Sequence, residues 1–133
     1  MTTDNYIQKP KKVSIAINLL IASTILGFIN SIMNDMITET KNYSSVLGLI
    51  TIILTLTIEI FFIYQINKGK KWARTTSLVL SILGALLFPF IIINIFKSSP
   101  IVGILSIVLT ILQIISLILI YSKEGNEWFS SHK

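Results

Sequence analysis

The sequence predicts an all-α membrane protein: four transmembrane helices in an up-down-up-down antiparallel bundle, with both termini cytoplasmic. Three observations carry this expectation. Apolar residues make up 53% of the chain and charged residues only 13%, about half the charged share of an ordinary soluble domain. The apolar residues fall in four runs of more than 20 residues, the length a helix needs to cross a hydrocarbon core about 30 Å thick. None of the runs shows the in/out alternation or the roughly ten-residue length of a membrane strand.

Each element has its own justification. The first span, Val13–Met33, follows Lys9, Lys11 and Lys12. Its basic start resembles a signal peptide, but the run is too long for a signal core and carries no small-x-small cleavage site, so it is read as a retained anchor. The second span, Ser44–Ile66, follows the longest connection, Asn34–Tyr43. The third, Trp72–Phe96, follows the basic turn Asn67–Lys71; Pro89 has no N–H for the Ala85 carbonyl and is expected to bend the helix there. The fourth, Ile101–Tyr121, follows the tight Lys97–Pro100 link, where Pro100 suits a first helical position because its missing N–H costs nothing. Short links force neighbouring helices to run antiparallel. The chain reads as one integral membrane domain over residues 1–133, without an internal repeat.

Basic residues set the expected orientation. Lys9, Lys11, Lys12, Lys68, Lys70, Lys71, Arg74, Lys123 and Lys133 fall on one side, and only Lys41 and Lys97 on the other. The positive-inside rule places the larger group, with both termini, in the cytoplasm. Topology and attraction to anionic lipid account for the +5 net charge, so no nucleic-acid partner is invoked. Tyr43, Tyr64, Trp72, Tyr121 and Trp128 lie at or just beyond span ends, as an interfacial aromatic belt would. Trp72 and Arg74, with Trp128 and Phe129 near the chain end, are the expected interface anchors. Arg74 would snorkel to phosphate, and the Trp128–Phe129 pair would dip back into the headgroups after the polar stretch Ser122–Glu127.

Polar groups inside hydrocarbon are costly unless paired, so their positions carry the most information. Asn18, Glu59, Ser77, Ser81, Gln113 and Ser116 lie five to nine residues in from the cytoplasmic ends of their spans. At 1.5 Å per residue they form one layer about 8–14 Å deep. Asn30 and Asn94 form a weaker layer near the other face. Small and polar residues also recur at helical spacing, a pattern that lets membrane helices pack closely and that is expected to face the interior. The stripes are Ser14, Asn18 and Ala22; then Ser44, Gly48, Thr51, Thr55 and Glu59; then Ser77, Ser81, Gly84 and Ala85; and Gly103, Ser106, Thr110 and Gln113. Glu59 is the one deep acid. Four roles are open to it: a proton or cation site, a structural member of the polar layer bonded to Asn18, Gln113 or a serine, an ion-pair partner of Arg74, or a contact with another protein.

Catalytic chemistry is not expected. With no cysteine and a single histidine, the penultimate His132, the chain can build neither a zinc site nor a His-based triad. The sequence Asn67-Lys68-Gly69-Lys70-Lys71 is a basic turn and does not match a phosphate-binding loop. Neither cofactor nor metal is expected.

The segment Gly69-Lys70-Lys71-Trp72-Ala73-Arg74, with Leu112-Gln113 in the fourth span and Trp128-Phe129 near the end, resembles a pattern in small uncharacterised bacterial inner-membrane proteins. These are four-helix chains with a Gly-basic-x-Trp-Ala-Arg turn and a Trp-Phe tail. The resemblance covers mainly Gly69 to Phe129; Lys71 stands where the pattern has asparagine, and Gly125-Asn126-Glu127 replaces a serine-rich approach. It implies the same four-helix architecture and no particular activity.

Two functions follow as expectations. The first is a non-enzymatic accessory or interaction protein of the bacterial cytoplasmic membrane, in its most specific version an immunity protein that binds a membrane-active toxin. Its partners would be the lipid bilayer and another membrane protein or a toxin. The second is a transporter or channel, working as a homo-oligomer because four short helices enclose little space, with Glu59 as its proton or cation site.

Overall fold

The computed structural model describes residues 8–38 and 46–131, which fold into five helices with no strand among the described residues. They are α1 (Lys11–Thr38), α2 (Val46–Asn67), α3 (Lys71–Ser98), α4 (Pro100–Ile120) and α5 (Lys123–Ser131). The first four are long and apolar enough to cross a membrane. Lys41, Tyr43, Ser44, His132 and Lys133 lie outside the described residues. The helices match the expected spans with two differences. α1 runs on to Thr38, five residues past the expected end at Met33. The tail, expected as a polar stretch, is itself a helix.

Local chemistry accounts for the breaks. α2 ends in a Schellman motif: the Lys70 amide donates to the Gln65 carbonyl at 3.1 Å and the Gly69 amide to that of Ile66 at 2.9 Å. Gly69 has φ 76°, a left-handed conformation that glycine adopts without Cβ strain. At the start of α4 the Ser99 hydroxyl accepts from the Val102 amide at 3.4 Å, and Pro100 occupies the first turn as expected. α3 stays helical through Pro89. Ser122 precedes α5 and its hydroxyl accepts from the Gly125 amide at 3.3 Å, and α5 carries Glu124 in its first turn, where the helix dipole favours an acid.

Packing is uneven. α1 and α4 make the most extensive helix pair and form the spine. Of α2 only Ile66 is buried, and of α3 only Ala73, both next to the turn between them. Those two residues join Val13, Ala16, Ile17, Ile120, Trp128 and Phe129 in the main apolar cluster, which gathers where α5 docks. Trp128 and Phe129 were expected as headgroup anchors. They are instead 3% and 0% exposed, stacked edge to face with ring centroids 4.8 Å apart, and their contacts are with protein. Gly125, Trp128 and Phe129 share one face of α5, and burying that face is what draws the aromatic pair inward.

Arg74 also departs from expectation. Its guanidinium lies 4.4 Å from the Tyr121 ring centroid and 4.7 Å from that of Phe129, and Nη1 donates to Asn126 Oδ1 at 2.8 Å. It clamps α3 to α5 through cation–π contacts and one hydrogen bond. Trp72 remains on the surface, half exposed, with Phe61 and Phe62 each 6.0 Å away.

Candidate functional site

Two half-open clefts lie between the α1–α4 spine and the neighbouring α2 and α3. The larger, of about 690 Å³, is walled by α1, α2 and α4 and reaches Leu47 and Gly48 in the first turn of α2. The smaller, of about 420 Å³, is walled by α1 to α4 and runs toward Ile66 at the α5 end. Four residues line both: Ser23, Thr24, Glu59 and Gln113. Glu59 therefore stands where the two clefts meet.

The sequence stripes explain most of this arrangement. Gly48, Thr51, Thr55 and Glu59 recur every three or four residues along α2, which puts them on one face, and that face lines the larger cleft. Ser77, Ser81, Gly84 and Ala85 do the same on α3 for the smaller one. On α4, Thr110 and Gln113 reach the clefts while Ser106 is used structurally: Asn30 Nδ2 donates to its hydroxyl at 2.9 Å. Small side chains leave the space, and the hydroxyls leave it partly polar.

Of the expected polar layer, Glu59, Ser77, Ser81 and Gln113 come together on the smaller cleft. Asn18 does not join them. It lies exposed on the outer side of α1 with Ser14 and Ala22, because α1 turns a different stripe inward. That stripe contains Val13, Ala16, Ile17, Ser23 and Asn30, all buried. The seven-residue series Ala16, Ser23, Asn30 was the signal for it. Apolar residues encircle α1, so the choice between the two stripes was not marked by hydrophobicity. Ser116 is fully buried and donates to the Leu112 carbonyl at 2.8 Å, and Asn94 donates to Phe90 within its own helix, so neither lines a cleft.

Glu59 is half-buried, and among the described residues its carboxylate has no hydrogen bond or ion pair; the Gln113 amide has no partner there either. Arg74, one of the partners expected for Glu59, is committed to Asn126, Tyr121 and Phe129. No group of His, Cys, Asp and Glu residues suited to a metal ion occurs among the described residues. The arrangement can therefore offer one carboxylate, one amide and several hydroxyls to a guest in an otherwise apolar cleft. Glu59 is the one ionisable side chain in that donor set. No family model, curated protein or solved structure matches the chain.

Proposed function

We propose that this is a non-enzymatic binding protein of the bacterial cytoplasmic membrane that receives a monovalent organic cation in its interior cleft, with Glu59 as counter-ion. One observation carries the reading: a deep carboxylate without a partner among the described residues stands at the junction of two clefts. Isolated charges in a low-dielectric site are expensive, so a carboxylate kept there favours a cationic guest. The two volumes fall within the range of sites for drug-sized ligands, about 300–1,000 Å³. Phe62, Phe88, Ile114 and Leu117 offer apolar contact beside the acid, while Thr51, Thr55 and Ser31 offer hydrogen bonds on its other side. The guest is thus amphipathic, with its charge between an apolar and a more polar part.

In the same proposal the four long helices alternate in direction and both termini are cytoplasmic. The nine-to-two division of basic residues supports that orientation. Membrane passage of the cation would make the protein a small transporter, with oligomers completing the path. The immunity version uses the same acid, with the cationic face of an amphipathic toxin helix as the guest.

The test is a titration of the purified protein in mild detergent with tetraphenylphosphonium, using tetraphenylborate as the anion of equal size and shape. The cation is expected to bind and the anion not, and Glu59→Gln is expected to weaken cation binding roughly tenfold or more. Equal affinity of the wild type and Glu59→Gln for the cation would overturn the proposal. Co-purification of one stoichiometric protein partner would favour the interaction reading over transport.

A further inference from the structure

We propose that α5 is a plug that closes the interior cleft at its own end, so that release of α5 opens a route to Glu59 from that face. The plug is a regulatory device for the cleft described above. Its purpose rests on the reading of that cleft as a ligand site, but its geometry does not.

The floor of the smaller cleft and the seat of α5 belong to one apolar cluster. Leu20, Phe62, Ile63 and Ile66 line the cleft and also belong to, or pack against, the cluster that holds Trp128 and Phe129. Phe129 is fully buried and Trp128 nearly so, so lifting α5 takes away the support beneath the cleft floor.

α5 is also built to be separable. It has nine residues, too few to hold a helix in water without docking. Its polar tethers among the described residues include Lys12 Nζ to Glu124 at 2.8 Å, a pair about half exposed on both sides, the Arg74–Asn126 hydrogen bond, and Asn126 Nδ2 donating to the Tyr121 carbonyl at 3.1 Å. Exposed pairs of this kind contribute little and are weakened by salt. Arg74 Nε is buried without a hydrogen-bond partner, so the docked state carries a polar group that water would satisfy on release. Lys9 adds one more contact from the chain start, bonding Asn67 and lying over the Trp128 ring. Strong apolar seating with weak polar tethers is the composition of a two-state element.

The chain contains no cysteine, so single thiols report access without background. Ser81→Cys places a thiol on the smaller cleft and Thr55→Cys places one on the larger. Each is treated in sealed vesicles of both orientations with a charged, membrane-impermeant methanethiosulfonate. From the α5 face Ser81→Cys is expected to react slowly. Adding Trp128→Ala and Phe129→Ala is expected to raise that rate roughly tenfold or more, since emptied aromatic sites rarely refill. Thr55→Cys is expected to react from the opposite face at an unchanged rate. Asn126→Ala removes the hydrogen bonds to Arg74 and to the Tyr121 carbonyl and leaves the aromatic seat intact, and it is expected to give a rise of roughly threefold. Identical rates for Ser81→Cys from the α5 face with and without the alanine substitutions would overturn the plug, and if the double variant does not accumulate, an unchanged rate in Asn126→Ala does so. The outcome is independent of the cation titration. Faster labelling with no cation binding would keep the plug and remove the proposed guest; cation binding with unchanged labelling would do the reverse.

Discussion

Asn18 and Glu59 lie at similar depth in the sequence, yet one ends on the outer surface of α1 and the other at the junction of two clefts. Depth follows from counting residues, whereas facing depends on which stripe each helix turns inward. On α2 and α3 a single small or polar stripe was present, and the clefts follow it. On α1 two stripes competed, and the one containing Ser23 faces inward. Ser23 sits on both clefts, with its hydroxyl donating to the Leu20 carbonyl at 2.9 Å. Asn18→Leu is therefore expected to leave the cation titration unchanged. Ser23→Leu, which pushes a bulky side chain into the junction, is expected to weaken it about tenfold while the protein still accumulates. A loss of binding in Asn18→Leu would move the site away from these clefts.

At the scale of elements, four helix positions were legible to within a few residues because hydrocarbon thickness dictates their length. α5 was not. Its sequence is polar on average, and the aromatic pair near the chain end suits an interfacial anchor as well as a buried face. The local evidence for it was the spacing of Gly125, Trp128 and Phe129, together with a serine at the capping position. Gly125 makes that face possible, since a Cβ placed there would collide with the Ile120 carbonyl oxygen. Backbone cannot yield as a flexible side chain does. Gly125→Ala is expected to push α5 off the end of α4 at a cost of about 1–3 kcal/mol. The check is a lower apparent Tm in detergent, with Trp128 fluorescence shifted toward that of a water-exposed indole.

Across the whole molecule, composition and charge made the membrane setting readable, but the packing order of the helices was not. Between helices in lipid there is little hydrophobic driving force, because the acyl chains are as apolar as leucine, so contact order is decided by small residues and sparse hydrogen bonds. The Asn30–Ser106 bond, joining α1 to α4, is one such contact: each residue stood out as polar in its span, but no sequence pattern paired them. The proposed orientation predicts that reporters fused to the amino and carboxyl ends both report the cytoplasm. Opposite sides for the two ends would remove the alternating arrangement. The unequal grip on the helices has a mechanical meaning as well. Among the described residues of α2 only Ile66 is buried, one turn from the left-handed Gly69. A helix of 22 residues is a rod about 33 Å long. With its buried residue near one tip, a rotation of about 10° about the turn would carry the other tip about 6 Å. The amplification would come from length alone, and it would be largest at the end of the rod that meets the larger cleft.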